Sequence, residues 1–596
     1  MSKAHPQGPS SLFVAVARRW FWRGLLLWAV LLVAVAALAV GRVAPIYRDA
    51  RHFVVDLQGA FAEAPQGTAD YAAIAHTSGN LFGINTFLYQ EVEEAKIRRS
   101  LAMIKEAGFG YIREQVAWQE IERGRKGNFT DERWNNRSTW TKLDQLVELV
   151  QEYGLEMIAR VDYPPDWSLP PGANWHATPP AHYEDYGDFV YALASRYRGR
   201  IRYYQIWNEP NLTIEWGMKP VDPVAYVRLL KVAYTRIKEA DPEAVVIAAA
   251  LAPTIEEGPL NMSDLTFLRR MYEAGAKDYF DIASVNPYGL RSGPDDRRTS
   301  ADDTNFSRPI QARQIMVEYG DAGKPIWASE TGWCALPEDF PDAPDYGRTT
   351  RAQQAGYTRR AYERVQREWP WMGMMALWHF RMVDNRLGTG QPYYFGAVGD
   401  DFVPFPVFEQ LGHLASSPPV LYPGFRQEDN RALAYAGAWR REREEEAALG
   451  AYAAGSGDGA SVSFRFWGSD LDLVVGRGPH GGRVAVSVDG GAALAPGAAR
   501  DASGRLIVDL YAPHQQWQVS VPVAWNLPVK EHSVTLELQG DGEMQVDGFV
   551  VRAREGRSPL PLAALLAAGT LGFLYWARGV GRGPAEGAAA AGQGES

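Results

Sequence analysis

Between residues 81 and 380, eight short apolar runs of strand type alternate with amphipathic helical stretches, and this alternation constrains the fold more than any other feature. The runs are LFGINTF (81–87), YIREQVA (111–117), EMIARVD (156–162), IRYYQIW (201–207), AVVIAAAL (244–251), DIASVNPY (281–288), PIWASET (325–331) and MMALWHF (374–380). Segments such as AKIRRSLAMIKEAG and PVAYVRLLKVAYTRIKEA lie between them and close on Gly or before Asp-Pro, where helices stop. Repeated βα units imply a parallel sheet with helices outside, and eight of them predict a (β/α)8 TIM barrel over residues 78–425. In that architecture chemistry gathers at the C-terminal ends of the strands.

The rest of the 596-residue chain divides around this unit. A charged RREREEE run near Arg440, followed by Gly, Ala and Ser up to Gly459, reads as a boundary. Beyond it, short alternating strands bounded by Gly, Asp and Pro predict a C-terminal β-sandwich, jelly-roll-like, over 430–556, with GRGPHGG near 476 as a hairpin-like turn. Residues 1–20 read as a cytoplasmic tail. The uncharged run Gly24–Val40 follows Arg18, Arg19 and Arg23 and predicts a transmembrane signal anchor over 21–42, with cleavage near Ala37-Leu38-Ala39 as the alternative. A stalk follows over 43–77, its stretch from Gly59 to Thr77 rich in Ala, Gly and Gln. A second apolar run, Leu560–Ala577, is flanked by Arg578 and Arg582 and predicts another span over 558–577, ahead of a disordered tail over 578–596. Transmembrane helices at both ends would tether the units between them outside the cytoplasm, in the periplasm or at the cell surface.

A net charge of −10 argues against a nucleic-acid partner, and 20 Trp with 28 Tyr suit stacking on flat ligand faces as well as core filling. No metal-ligand spacing, Walker loop or nucleotide fingerprint is present, so no metal and no organic cofactor is expected. The single cysteine, Cys334, reads as a packed thiol.

Two acidic residues end barrel strands: Glu209 in YYQIWNEPN, strand four, and Glu330 in PIWASETGW, strand seven. Each alone has a structural alternative, Asn208-Glu209-Pro210 as a turn and Ser329–Gly332 as a capped loop. Together, facing across a barrel mouth, they form the pair that glycosidic cleavage requires, one to protonate the leaving oxygen and one to attack the anomeric carbon or activate water.

With these motifs the segment from about Leu81 to Gly412 resembles glycoside hydrolase clan A, whose members carry Asn-Glu-Pro at the end of strand four and a nucleophilic Glu ending strand seven. Within the clan it looks most like family 39 enzymes and the inner-membrane endoglycosidases encoded beside exopolysaccharide synthesis genes, with family 5 next. The resemblance implies that Glu209 is the acid/base, Glu330 the nucleophile and Asn208 the partner of the sugar 2-hydroxyl. It implies a polysaccharide or oligosaccharide substrate and, through the membrane segments, a partnership with exopolysaccharide synthesis or export machinery.

A nucleophilic carboxylate needs positive charge or donors. Arg113 and Tyr288 are the candidates, with Asn286 in the same Val285–Tyr288 run, and an ion pair of Arg113 with Glu114 or Asp162 as the alternative. Glu209 must hold a proton, which burial beside Trp207 and repulsion from Glu330 would favour. Trp378 would floor the cleavage subsite. His379 and Asp384 are candidates for lining the mouth, with a satisfied packing residue as the commoner alternative for a lone His after a strand; Trp118, Trp167, Trp175 and Trp333 are candidates for further subsites or for loop packing. Trp467, Tyr511 and Trp517 suit the sandwich to glycan binding, with a purely structural module that orients the barrel relative to the membrane as the alternative. Two other functional readings stand beside a hydrolase: a transglycosylase sharing the covalent intermediate, and a non-catalytic glycan-binding scaffold.

Overall fold

The computed structural model describes residues 71–553 apart from 384–389, 493–499, 502–504 and 526. Both expected membrane spans, the two tails and residues 43–70 of the expected stalk lie outside the described residues. Among the described residues no helix is long and apolar enough to cross a membrane.

The eight runs form eight parallel strands, β1 (Phe82–Asn85), β2 (Tyr111–Ala117), β3 (Glu156–Asp162), β4 (Tyr203–Ile206), β5 (Val245–Ile247), β6 (Ala283–Val285), β7 (Ile326–Thr331) and β8 (Met372–Leu377). Each pairs with the next in sequence, β8 returns to β1, and bridges Ile247↔Ile282 and Leu251↔Val285 close the gap between β5 and β6. The sheet is a closed barrel. One helix follows each strand: α1 (Glu94–Glu106), α2 (Thr141–Glu152), α3 (Tyr183–Arg196), α4 (Pro223–Ala240), α5 (Asp264–Glu273), α6 (Pro309–Glu318), α7 (Arg351–Glu368) and α8 (Pro406–Ala415).

Apolar residues fill both sides of the strand wall, as expected of a parallel sheet covered by helices. One core cluster packs strands against helices, and Tyr111, Ile158, Tyr203, Ile247, Trp327 and Met374 belong to a second that plugs the barrel's lower interior. Gly83 is required there, because a Cβ would sit 2.7 Å from the Met374 sulfur.

The last seven residues of the expected stalk are not a spacer. Ile74 is buried in the barrel core, the His76 carbonyl accepts from Trp327 Nε1 at 3.1 Å, and Ala73 packs with Phe425, Val474 and Val550. The stretch follows an Ala-, Gly- and Gln-rich run and so looks like a linker, but these contacts make it a strap across both units.

The C-terminal unit is a ten-stranded antiparallel sheet folded on itself in sandwich fashion. Its longer strands are β9 (Gly424–Gln427), β10 (Ala434–Arg443), β11 (Ala451–Gly468), β12 (Asp470–Arg477), β13 (Arg483–Val488), β14 (Leu506–Asp509), β15 (Gln516–Ala524), β16 (Lys530–Gln539) and β17 (Glu543–Arg552). Because β9 pairs with β17, Gly424 and Phe425 belong here rather than to the barrel. The expected boundary at 440–459 is also corrected: it lies inside the unit. Arg440 and Arg441 sit on β10 beside Glu442, Glu543 and Glu428, so the charge run is a solvated strand face. β11 pairs with β17 through Ala453–Ser456 and with β16 through Ser461–Gly468. It changes neighbours at Gly457 and Gly459, whose φ of 85° and 82° only glycine adopts freely, so the Gly-rich stretch is a corner. The segment 478–482 is not a hairpin turn, since β12 pairs with β15 and β17 whereas β13 pairs with β14 and β16.

Candidate active site

Glu330 ends β7 with its side chain buried at the barrel mouth. Arg113 Nη1 donates to its Oε1 at 2.8 Å and Tyr288 Oη to its Oε2 at 2.7 Å. Arg113 therefore serves Glu330, not Glu114, which caps the turn after β1 by accepting from Thr86, Leu88 and Tyr89. Asp162 is paired with Arg160 at 2.8 Å and with Gln115 at 2.7 Å.

Arg113 is fixed from every side. Its Nη1 also reaches Asn85 Oδ1 at 2.9 Å, its Nε donates to Gln205 Oε1 at 2.7 Å, and its Nη2 donates to Asn208 Oδ1 at 3.0 Å. Gln205 in turn donates to Ser329 Oγ at 2.8 Å and to Ser284 Oγ at 3.2 Å. A fully bonded polar layer thus lies between the apolar plug and the carboxylates, where low dielectric strengthens each contact. Asn85, Gln205, Ser284 and Ser329 were not singled out in the sequence. Their signal was available: each is a polar residue within a largely apolar strand run.

Glu209 follows β4 and is partly buried. Asn286 Nδ2 donates to its Oε1 at 2.7 Å. Burial and the charges of Glu330 and Glu215 push its pKa up from 4.5 to about 8, against the Asn286 bond and Arg113. Two acids at one mouth are held in unlike electrostatic circumstances, one salt-bridged and one inclined to keep its proton. The chain presents Glu209 through left-handed backbone at Trp207 (φ 75°) and at Glu209 itself (φ 37°), conformations that cost on the order of 1–3 kcal/mol each. They are held by Trp207 Nε1 donating to the Glu215 carbonyl at 2.8 Å and by Glu209 N donating to the Ala250 carbonyl at 3.0 Å.

Trp378 follows β8, partly exposed, with Phe87 edge-on at 5.7 Å. Tyr346, in the loop after β7, stands 39% exposed against Phe395 at 5.6 Å and feels the charges of Glu209 and Glu330. Nothing in its local sequence distinguished it. His379 does not line the mouth: it is buried, hydrogen-bonded to the Pro392 carbonyl at 3.2 Å, and burial lowers its pKa to about 4. An imidazole whose ring is enclosed by Phe87 and Trp378 packs rather than binds. Asp384 lies outside the described residues. Trp118 and Trp333 are buried, and Trp167 packs edge-on against Trp118, so these three fill loops. Trp175 is half-buried beside His176 and remains reachable. Cys334 is a buried thiol pushed up to about 12, which keeps it protonated.

Residues 69–259 match the family model described as cellulase (glycosyl hydrolase family 5). The match spans β1 to β5 of the barrel and likens this part of the chain to a glycoside hydrolase domain. The matched stretch includes Arg113, Asn208 and Glu209 and ends before Asn286, Tyr288 and Glu330.

Among solved structures, it is similar to a family 39 glycoside hydrolase from Bacteroides cellulosilyticus WH2 (17% identity, 78% of this chain and 82% of that one, TM-score 0.45). It is also similar to a monomeric beta-xylosidase from Caulobacter crescentus CB15 (16%, 79% and 98%, TM-score 0.41). A third is the family 39 enzyme from Xanthomonas axonopodis pv. citri (15%, 80% and 99%, TM-score 0.42). No curated protein sequence matches the chain.

Proposed function

We propose that this protein is a retaining glycosidase acting on a polysaccharide or oligosaccharide, with Glu209 as acid/base and Glu330 as nucleophile. The observation that carries the reading is the opposite treatment of the two carboxyl groups. Glu330 is held by Arg113 and Tyr288, and Glu209 is pushed up to about 8. In the first step Glu209 gives its proton to the glycosidic oxygen as a Glu330 oxygen attacks the anomeric carbon, releasing the leaving sugar as an alcohol. In the second, Glu209 takes a proton from water, whose oxygen displaces Glu330 and restores both groups.

A retaining mechanism requires carboxyl groups about 5 Å apart, and the charge of Glu330, which after burial does most to raise Glu209, is in keeping with two acids at one mouth. Asn208, locked by Arg113, is positioned for the sugar 2-hydroxyl, and Trp378 and Tyr346 offer rings for stacking. Asn286 Oδ1 has no partner among the described residues and can accept from a sugar hydroxyl.

The two apolar segments beyond the described residues support a membrane-anchored placement with the barrel outside the cytoplasm, beside polysaccharide synthesis or export machinery. In keeping with that reading, Tyr71 and Arg552, near the two ends of the described chain, lie 5.1 Å apart ring to guanidinium.

The test is the anomeric configuration of the first product, followed by proton NMR during cleavage of a substrate found by screening bacterial and plant glycans. Retention is expected; inversion would overturn the covalent step. Tight glycan binding without turnover would favour the scaffold reading.

A further inference from the structure

A cavity of about 430 Å³ lies where the lower end of the barrel meets the sandwich, on the side opposite the carboxylates. Trp369 and Tyr422 contribute apolar wall, and Arg367, Arg426, Arg431 and Arg465 contribute charge. The charge does not balance. Of the two acids lining the cavity, Glu531 is paired with Arg465, and Glu363 with Arg359 at 3.0 Å. Arg367 lies over the Trp467 ring at 5.1 Å. Neither it nor Arg426 nor Arg431 has a carboxylate partner among the described residues.

Arg426 is the most telling of the three. Its Nε donates to the Tyr422 carbonyl at 2.9 Å and its Nη2 to the Pro423 carbonyl at 2.7 Å, which fixes the guanidinium and leaves Nη1 uncommitted among the described residues. Carbonyls orient a cation but do not neutralise it, and burial alone lowers the pKa of this group to about 10. A partly buried guanidinium without a counter-charge carries a desolvation cost that a bound anion would offset. In a chain of net charge −10, three unmatched arginines around one cavity are against the trend of the whole molecule.

We propose that this interdomain cavity binds a phosphate group, held by Arg426 with Arg431 and Arg367. Three guanidinium groups suit a dianion with three terminal oxygens better than a single carboxylate, because each fork can take two oxygens. Thr77 lines the same cavity, on the strap that leads in from the N-terminal side, so a lipid headgroup and a free phosphate are the two sources of that chemistry.

The experiment uses the full chain in a neutral detergent, with thermal unfolding and calorimetric titration as readouts. Inorganic phosphate is added in one arm and a short-chain phosphatidic acid in the other, each against chloride at matched ionic strength. A ligand that binds only the folded state raises the Tm saturably. Arg431→Ala, which removes an exposed side chain with no ion-pair partner, should weaken the apparent Kd about tenfold, and Arg426→Gln at least as much. A response to inorganic phosphate supports a free-phosphate site; a response to phosphatidic acid alone supports a headgroup site. No rise in either arm beyond the chloride control, or equal responses in wild type and Arg431→Ala, overturns the proposal.

Discussion

Glu209 carries the clearest consequence at the scale of single residues. Its folded pKa, about 8, lies above its ordinary 4.5, so its contribution to stability is complete below 4.5 and is lost as pH rises through 8. Glu209→Gln is neutral at every pH. Its Tm should fall less than that of the wild type between pH 5 and 9, measured by thermal unfolding in matched buffers, and parallel curves would contradict the assignment. The same group sets the alkaline limb of activity, which should fall near pH 8 in kcat/KM. Tyr288→Phe removes one donor from Glu330 and leaves the ring against Phe395; a loss of about 10–100-fold in kcat with an unchanged fold by circular dichroism is expected. Residues that the structure gathers at the barrel mouth were legible in sequence where a charged or hydrogen-bonding side chain closed or followed an apolar strand, as at Glu209, Glu330 and Tyr288, whereas Arg113, expected at the end of its strand, is the third residue of β2. Tyr346 was not, because its place depends on how a long loop folds back over the mouth, and His379 misled because strand position does not tell which way the chain turns next.

At the scale of elements, the loop after β6 depends on one close contact. A Cβ on Gly289 would fall 1.9 Å from the Trp333 ring, so Gly289→Ala must displace a fully buried indole. Overpacking of that kind costs about 1–3 kcal/mol, read as a lower denaturation midpoint at unchanged m-value. At the start of α7, Thr350 Oγ1 accepts from Gln353 N at 3.1 Å and Gln353 Oε1 accepts from Thr350 N at 2.9 Å, a capping box; losing its Thr350 side-chain half in Thr350→Ala should cost about 1 kcal/mol by the same measurement. All eight strand positions could be read from apolar runs because parallel strands are buried on both faces. The run at 440–446 was misread because a solvated strand and a linker share a composition, and only pairing partners such as Glu543 and Glu428, distant in sequence, tell them apart.

Across the whole molecule, the strap at 71–77 joins the two units. Ile74 enters the barrel core and Ala73 the sandwich, while Gly424 (φ 120°) lets the sandwich approach so closely that a Cβ would meet Pro370 at 2.4 Å. Ile74→Asp buries an unpaired carboxylate in one of these contacts. It should split a single calorimetric transition into two as barrel and sandwich uncouple; one undivided transition would show that the strap does not couple them. The pair Glu209 and Glu330 sits at the opposite end of the barrel, so such a variant should keep its activity at temperatures below the first transition. The most direct measurement is reducing-end release from a polysaccharide cleaved by the full chain, compared with Glu330→Gln. Replacing the carboxylate by an amide of the same shape should lower kcat on the order of 10⁴-fold while glycan binding persists, and a variant that cleaves within tenfold of wild type would contradict the two-carboxylate site.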